Sequence, residues 1–350
     1  ASPKQLGEVL FEKLKIIENP KKTKTGQYST SEEVLSVLAK DHKIVAEVLN
    51  WRSLQKLINT YVDALPKQIN KDSLRIHTVF NQAVASTGRL SSNNPNLQNI
   101  PIRTKKGREI RKAFICKNND YIMLSADYSQ IELRVIASLS NDSNMISAFN
   151  NNEDIHSSTA AKVFNVNIKN VSQEQRSNAK TVNFGIIYGV SAFGLSNQTN
   201  LSRSESKNLI ESYFTAYPKL KKYISNQINF ARENGYVETI LGRKRYLMDI
   251  NSRNHIVRGG AERNAINAPI QGSAADIIKL AMVKIYNRIK NNNYKSKMLV
   301  QVHDELIFEI FKPELQEMKT LIKLEMESAY RLNVPLVVDI GTGNNWYEAH

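Results

Sequence analysis

Cysteine is nearly absent. The 350 residues contain one, Cys116, which excludes an intrachain disulfide and any cysteine-built zinc site. Long apolar runs are missing too: nothing approaches the roughly 18 consecutive apolar residues of a membrane helix, and Ala1-Ser2-Pro3-Lys4 has no apolar signal run. No internal repeat and no disordered linker is visible. A reducing, cytosol-like compartment is the expectation. Acidic residues are in deficit, 33 Asp/Glu against 48 Lys/Arg, for a net charge of +15. Residues 1–112 alone hold 20 basic and 10 acidic side chains, +10 of that total. Such a surface favours a polyanion, nucleic acid or anionic lipid. Asparagine is also abundant at 38, and Asn and Lys both have AT-rich codons, so base composition is an alternative source of charge. The length suggests about two domains, and 41% apolar residues suffice for a sizeable core.

Thr30 and Glu33 stand at capping-box spacing. The pattern Val34, Leu35, Val37, Leu38, Ile44, Val45, Val48, Leu49 predicts a helix running to about Ile58. Residues 1–68 therefore read as a small helical unit with a basic tip at Lys21-Lys22-Thr23-Lys24. Residues 86–103 are rich in turn formers and predict extended loop. Tyr121–Ala126 reads as a buried strand ending at Asp127, and Ile131–Leu139 as helix. Residues 150–256 read as mostly helical, with breaks near Gly185–Gly194, Gly235 and Gly242. Met298–Ile310 alternates as a hairpin with His303-Asp304-Glu305 at its acidic turn, and Val334–Ile340 reads as a final strand. Strands flanking a long helical insertion argue an α+β fold.

Asp127 and Asp304 each end an apolar segment. A carboxylate there is costly unless a cation or donor meets it. Two converging carboxylates suit Mg²⁺, which keeps water and substrate phosphate in its other positions. Otherwise Asp127 caps the next helix and Asp304 is an ordinary turn residue. Arg176, Lys180, Phe184 and Tyr188 recur every four residues on one side of a helix: two cations suited to phosphate oxygens and two rings suited to base and sugar. The alternative is a mixed surface helix with Phe184 in the core. His156 alone reads as a surface histidine.

These segments together resemble family A DNA polymerases. Asp127-Tyr128-Ser129-Gln130-Ile131-Glu132-Leu133-Arg134 is similar to motif A, Arg176-x3-Lys180-x3-Phe184-x3-Tyr188-Gly189 to motif B, and Val302-His303-Asp304-Glu305 to motif C, in the right order. Thr87-Gly88-Arg89-Leu90-Ser91-Ser92 and Pro95-Asn96-Leu97-Gln98-Asn99-Ile100-Pro101 resemble the template-primer loop. The similarity extends along essentially the whole chain to Trp346.

The resemblance implies a right-hand polymerase with an antiparallel-sheet palm and mostly helical fingers and truncated thumb. It divides the chain into a partial thumb (1–68), a first palm segment (69–149), fingers (150–262) and a second palm segment (263–350). In that family a long thumb helix and a proofreading domain lie upstream, so the chain resembles a trimmed portion of a longer protein. The implied activity is DNA-templated DNA synthesis with two Mg²⁺ ions. Asp127, Asp304, Glu305 and Lys180 would be catalytic, Asp127, Asp304 and the Tyr128 carbonyl would hold metal, and Glu305 would assist from outside the ligand shell. One ion would activate the primer 3′-OH and the other would stabilise the leaving pyrophosphate. Gln130, Glu132, His156, Arg176, Lys180, Phe184 and Tyr188 would bind dNTP. Glu132 would exclude a 2′-OH, and Phe184, lacking a ring hydroxyl, implies discrimination against dideoxynucleotides. Arg89, Asn96, Gln98, Asn99, Arg103, Arg263, Asn267, Gln271 and His303 would contact DNA. Arg89, Asn267 and Gln271 would read minor-groove acceptors common to all correct pairs. Pro269 is expected to break the helix carrying Arg263 and Asn267 before Gln271. Arg103–Lys112, with six basic residues in ten, is expected to meet phosphate.

The implied partners are primer-template DNA and dNTPs, with no membrane, for a monomer in replication or repair in a bacterial cytoplasm, nucleoid-associated, or in an organelle. Two other readings compete: a phage-type single-subunit RNA polymerase, against which Glu132 argues, and a catalytically silent DNA-binding fragment, against which the intact acidic residues argue.

Overall fold

The computed structural model describes residues 2–102 and 104–350. They form two compact units, one ending at His77 and the other starting at Thr78. The first contains the short helix α1 (Pro3–Gly7), α2 (Glu32–Leu38) and α3 (Lys43–Leu57), packed around Leu10, Phe11, Leu35 and Val45. The single helix expected from Thr30 to Ile58 is thus two helices. The turn after α2 closes with the His42 N–H on the Leu38 carbonyl at 3.0 Å, which brings Leu35 and Val45 into one core. Ser31, not Thr30, caps α2: its Oγ accepts from the Val34 N–H at 3.4 Å. Thr30 is buried, and the Arg52 guanidinium donates to its carbonyl and to its Oγ1 at 2.5 and 3.3 Å.

The second unit opens with the small ribbon β1 (Val79–Asn81) and β2 (Ser91–Asn93), then α4 (Lys105–Arg108) and β3 (Tyr121–Tyr128). Seven helices follow: α5 (Ile131–Ser140), α6 (Ser143–Asn150), α7 (Ile155–Val163), α8 (Gln173–Ile187), α9 (Ala192–Ser196), α10 (Arg203–Ala216) and α11 (Pro218–Asn234). A ribbon, β4 (Tyr236–Glu238) and β5 (Lys244–Tyr246), leads to the 37-residue α12 (His255–Asn291). The chain ends with β6 (Lys297–Val302), β7 (Glu305–Phe311), α13 (Leu315–Glu327), β8 (Val338–Gly343) and α14 (Trp346–Ala349).

β6, β7, β3 and β8 form, in that order, one fully antiparallel sheet. Its centre pairs a strand from before the helical insertion with strands from after it. Leu124, Ala126, Leu306, Phe308 and Ile310 join Leu133, Ile136, Ile277 and Ile322 in one buried core, so α5, α12 and α13 cover the sheet.

The breaks expected near Gly235 and Gly242 fall at the ribbon β4–β5, where both glycines take positive φ and turn the chain. Two expectations are corrected. The last strand begins at Val338 rather than Val334, because Pro335 has no N–H for the ladder, although Val334 and Leu336 remain buried. Pro269 does not break a helix. α12 runs through it, its carbonyl accepting from Ser273 Oγ at 2.5 Å. Proline there removes a ladder donor, but the surrounding turns are buried Ala and Ile residues, and that packing holds the helix together. α12 also continues across positions 262 and 263.

Candidate active site

β3 is apolar over Met123–Ala126 and reaches Tyr128, and the next two residues turn the chain into α5, with Gln130 in the left-handed region at φ 57°. β6 and β7 are joined by only His303 and Asp304, His303 also having positive φ. The register sets Asp127 opposite Glu305 on β7 and opposite Asp339 on β8. Directly paired residues share a sheet face with Cα atoms about 4.5–5.5 Å apart. The Tyr128 N–H donates to the Asp304 carbonyl at 3.2 Å, which locks the turn to β3. Asp127 and Asp304, 177 positions apart in the chain, are therefore neighbours at one sheet edge.

Their charges oppose one another. Burial, then Glu305, then Asp304 push the Asp127 pKa up to about 7. Asp304 is raised as well, by burial, with Arg89 pulling the other way. Carboxylates held in this state are short of positive charge. Among the described residues no three His, Cys, Asp or Glu side chains form a ready-made metal cage. Two carboxylates beside a backbone carbonyl nevertheless fit Mg²⁺, a hard cation that takes one or two protein carboxylates and keeps open positions.

A polar cluster borders the pair. Arg89 Nη2 lies 2.7 Å from Glu132 Oε1 and 3.8 Å from Asp304 Oδ1. The Tyr188 hydroxyl donates to Glu132 Oε2 at 3.2 Å, and the Gln271 amide bonds the same carboxylate. Burial raises Glu132 against the pull of Arg89. Burial and the Glu132 charge push Tyr188 up to about 12, so it is a neutral donor near pH 7. Three residues from distant segments, Arg89, Tyr188 and Gln271, thus meet around one carboxylate.

α8 places Arg176 and Lys180 in solvent, Phe184 half-buried and Tyr188 47% exposed. Lys180, Phe184, Tyr188, Gly189, Val190 and Arg263 line an open cavity of about 680 Å³. Arg176 is engaged: its Nε and Nη2 bond both oxygens of Asp154 at 3.1 and 2.8 Å. Burial would raise Asp154, but Arg176 and the Ser157 N–H hold it down at about 2. His156 is not a surface residue as read in isolation. It is 3% exposed, bonded through Nδ1 to the Asn183 amide at 3.0 Å and packed against Phe184, and burial lowers its pKa to about 4.

The remaining candidates are scattered along the neighbouring surface. Asn96 accepts from the Gln98 N–H. The Gln98 amide bridges the Ser92 N–H at 3.2 Å and Gln301 Oε1 at 2.8 Å, tying the loop after β2 to β6. Asn99 and His303 are exposed, and the His303 carbonyl accepts from the Gln301 amide. The Asn267 Nδ2 is buried without a hydrogen-bond partner. Arg103 lies outside the described residues. The basic run after it is not uniformly solvated: Arg111 is 3% exposed, its guanidinium 4.1 Å from the Trp346 ring centre and 3.6 Å from Glu305 Oε2. Arg111, Ser125, Trp346 and His350 around Glu305 escaped sequence reasoning, since no spacing connects four residues from three segments.

The sequence profile of DNA polymerase family A matches residues 1–348. Curated relatives include DNA polymerase I of Caldicellulosiruptor bescii, 53% identical over 99% of this chain and 40% of its own length. DNA polymerase I of Geobacillus stearothermophilus is 50% identical, again over 99% and 40%. Among solved structures, the polymerase domain of Pol1 from M. smegmatis, in complex with DNA primer-template and dNTP, superposes with a TM-score of 0.93 at 46% identity, covering 100% of this chain and 61% of that one. The four-stranded sheet with its helical insertion is the palm and fingers of a right-hand polymerase. The chain belongs to DNA polymerase family A. It spans about two fifths of the length of the curated relatives it matches.

Proposed function

We propose that this chain catalyses DNA-templated addition of dNTPs to a primer 3′-OH, in replication or repair within a bacterial cytoplasm. The observation that carries the reading is the meeting of Asp127 and Asp304 at one sheet edge, beside the Arg89–Glu132–Tyr188 cluster.

Asp127 and Asp304, with the Tyr128 carbonyl, would hold two Mg²⁺ ions. Bound there, the ions supply charge neutralisation and an acidified primer hydroxyl. The protein positions the reactants, which is most of what phosphoryl transfer requires. Lys180, exposed on α8, meets triphosphate oxygens. Arg176 joins it when phosphate displaces the solvent-exposed Asp154 pair. Phe184 and Tyr188 give the base and sugar a floor. Glu132, fixed by Arg89, Tyr188 and Gln271, leaves no acceptor geometry and little room for a 2′-OH. Arg89 exchanges carboxylates for the minor groove when DNA binds, and Asn267 offers its unpartnered amide to the same groove. Gln98 acts by holding its loop, both ends of its amide being occupied by protein.

Primer extension with Mg²⁺ and dNTPs on a DNA template tests the reading. Extension by the wild type, lost in Asp304→Asn and far weaker with rNTPs, is the expected result. Equal use of rNTPs and dNTPs would favour an RNA polymerase instead, and no extension even at low salt would favour a silent DNA-binding fragment.

A further inference from the structure

Glu305 follows Asp304 and faces Asp127 across the sheet, yet its side chain is 5% exposed and turned toward protein. Three donors converge on its Oε1: Ser125 Oγ at 2.6 Å, Trp346 Nε1 at 3.1 Å and His350 Nδ1 at 3.0 Å. The fourth neighbour, Arg111, sits beside Oε2. A carboxylate is acceptor-only when ionised, so His350 presents its N–H at Nδ1.

The segment that brings two of these donors is itself firmly seated. The Trp346 indole lies between the Arg111 guanidinium and the edge of Phe114, 5.4 Å between ring centres, and its backbone N–H donates to the Phe114 carbonyl at 3.0 Å. α14 lies so close to β8 that a Cβ on Gly341 would stand 2.1 Å from the Ala349 carbonyl oxygen. This is heavy construction around one glutamate that meets almost no solvent.

We infer that Trp346 and His350 are positioning residues of the polymerase centre, clamping the Glu305 carboxylate in one rotamer so that Asp127, opposite it, holds its working geometry. The inference rests on the proposed polymerase activity. Ser125 alone would leave Glu305 free to swing about one hydrogen bond. The indole and imidazole fix it from a second direction, and Arg111 supplies the charge that makes ionised burial tolerable.

The test compares wild type, His350→Ala, His350→Asn and Trp346→Phe in single-turnover primer extension with Mg²⁺, alongside thermal melting. Asparagine is chosen because its amide nitrogen can occupy the place of Nδ1. We expect His350→Ala to lower the maximal rate about tenfold, as loss of a supporting partner does at such centres, with dNTP affinity within about twofold. Trp346→Phe should lose a similar factor. His350→Asn should recover most of the rate, while both His350 variants melt near the wild-type temperature and Trp346→Phe, which leaves part of a packed site empty, melts lower. An unimpaired His350→Ala, or a loss that Asn does not repair, overturns the inference. A second readout needs neither metal nor DNA: the chain has two tryptophans, Trp51 half exposed and Trp346 buried. The protected indole N–H signal in a ¹H–¹⁵N spectrum should shift in Glu305→Gln and in His350→Ala. An unmoved signal in both overturns the clamp itself, whereas a wild type that fails to extend primers defeats the polymerase reading and leaves the clamp to stand on the spectrum.

Discussion

Asp127 shows how a site can work against the stability of its own fold. Its pKa stands near 7 and that of an unfolded aspartate near 3.9. Between those values the folded chain binds a proton that the unfolded chain has released, so stability from this group is present at low pH and is lost as pH rises through about 7. Asp127→Asn should therefore melt roughly 2–4 °C above wild type at pH 8 in EDTA, while abolishing extension. A variant that melts lower would contradict the electrostatic account. The same proton competes with metal: apparent Mg²⁺ affinity should fall progressively below about pH 7, measurable by titrating Mg²⁺ into extension assays at pH 6, 7 and 8. Glu132 is the counterpart proposed for substrate choice. Glu132→Ala removes the partner of both Arg89 and Tyr188, and the rNTP/dNTP ratio of kcat/KM should rise by roughly a hundredfold. An unchanged ratio would remove Glu132 from sugar selection.

At the scale of elements, Gly341 is the clearest joint. Gly341→Ala would drive a methyl group into the Ala349 backbone and should lift α14 away from β8, costing about 1–3 kcal/mol, seen as a lower Tm and quenched protection of the Trp346 indole. The sheet was legible in the sequence because its strands are short apolar runs ending in turn residues: the Tyr121–Ala126 and Met298–Ile310 segments coincide with β3 and with β6–β7. The stripe on α8 was legible for the same reason, a fixed spacing on one element. Elements whose local signals conflict with their packing were not. Pro269 reads as a breaker and lies within a continuous helix. Thr30 reads as a cap and turns inward to Arg52. The surroundings of Glu305 were illegible in principle, because the four residues touching it meet only after β3, β7 and β8 have paired. Arg111 in particular was hidden among exposed lysines and arginines that resemble it in sequence and not in burial.

For the molecule as a whole the +15 charge governs association more than fold. If primer-template binding engages about four phosphates, raising salt from 50 to 200 mM should weaken it roughly a hundredfold, with a slope near −0.9 per phosphate. Fluorescence anisotropy of a labelled duplex reads this directly, and a flat salt response would mean that the basic surface does not meet DNA.

The insertion of eight helices, α5 to α12, between β3 and the rest of its sheet also sets an order of events during synthesis. At about 5–20 residues per second, the ribosome delivers Asp304 roughly 10–35 s after Asp127. Through that interval β3 lacks its neighbours, and the helices must fold without the partner strands that will later anchor them. A nascent chain therefore holds Asp127 without Asp304 beside it until nearly all of this region has emerged, so the pair is assembled late by topology alone.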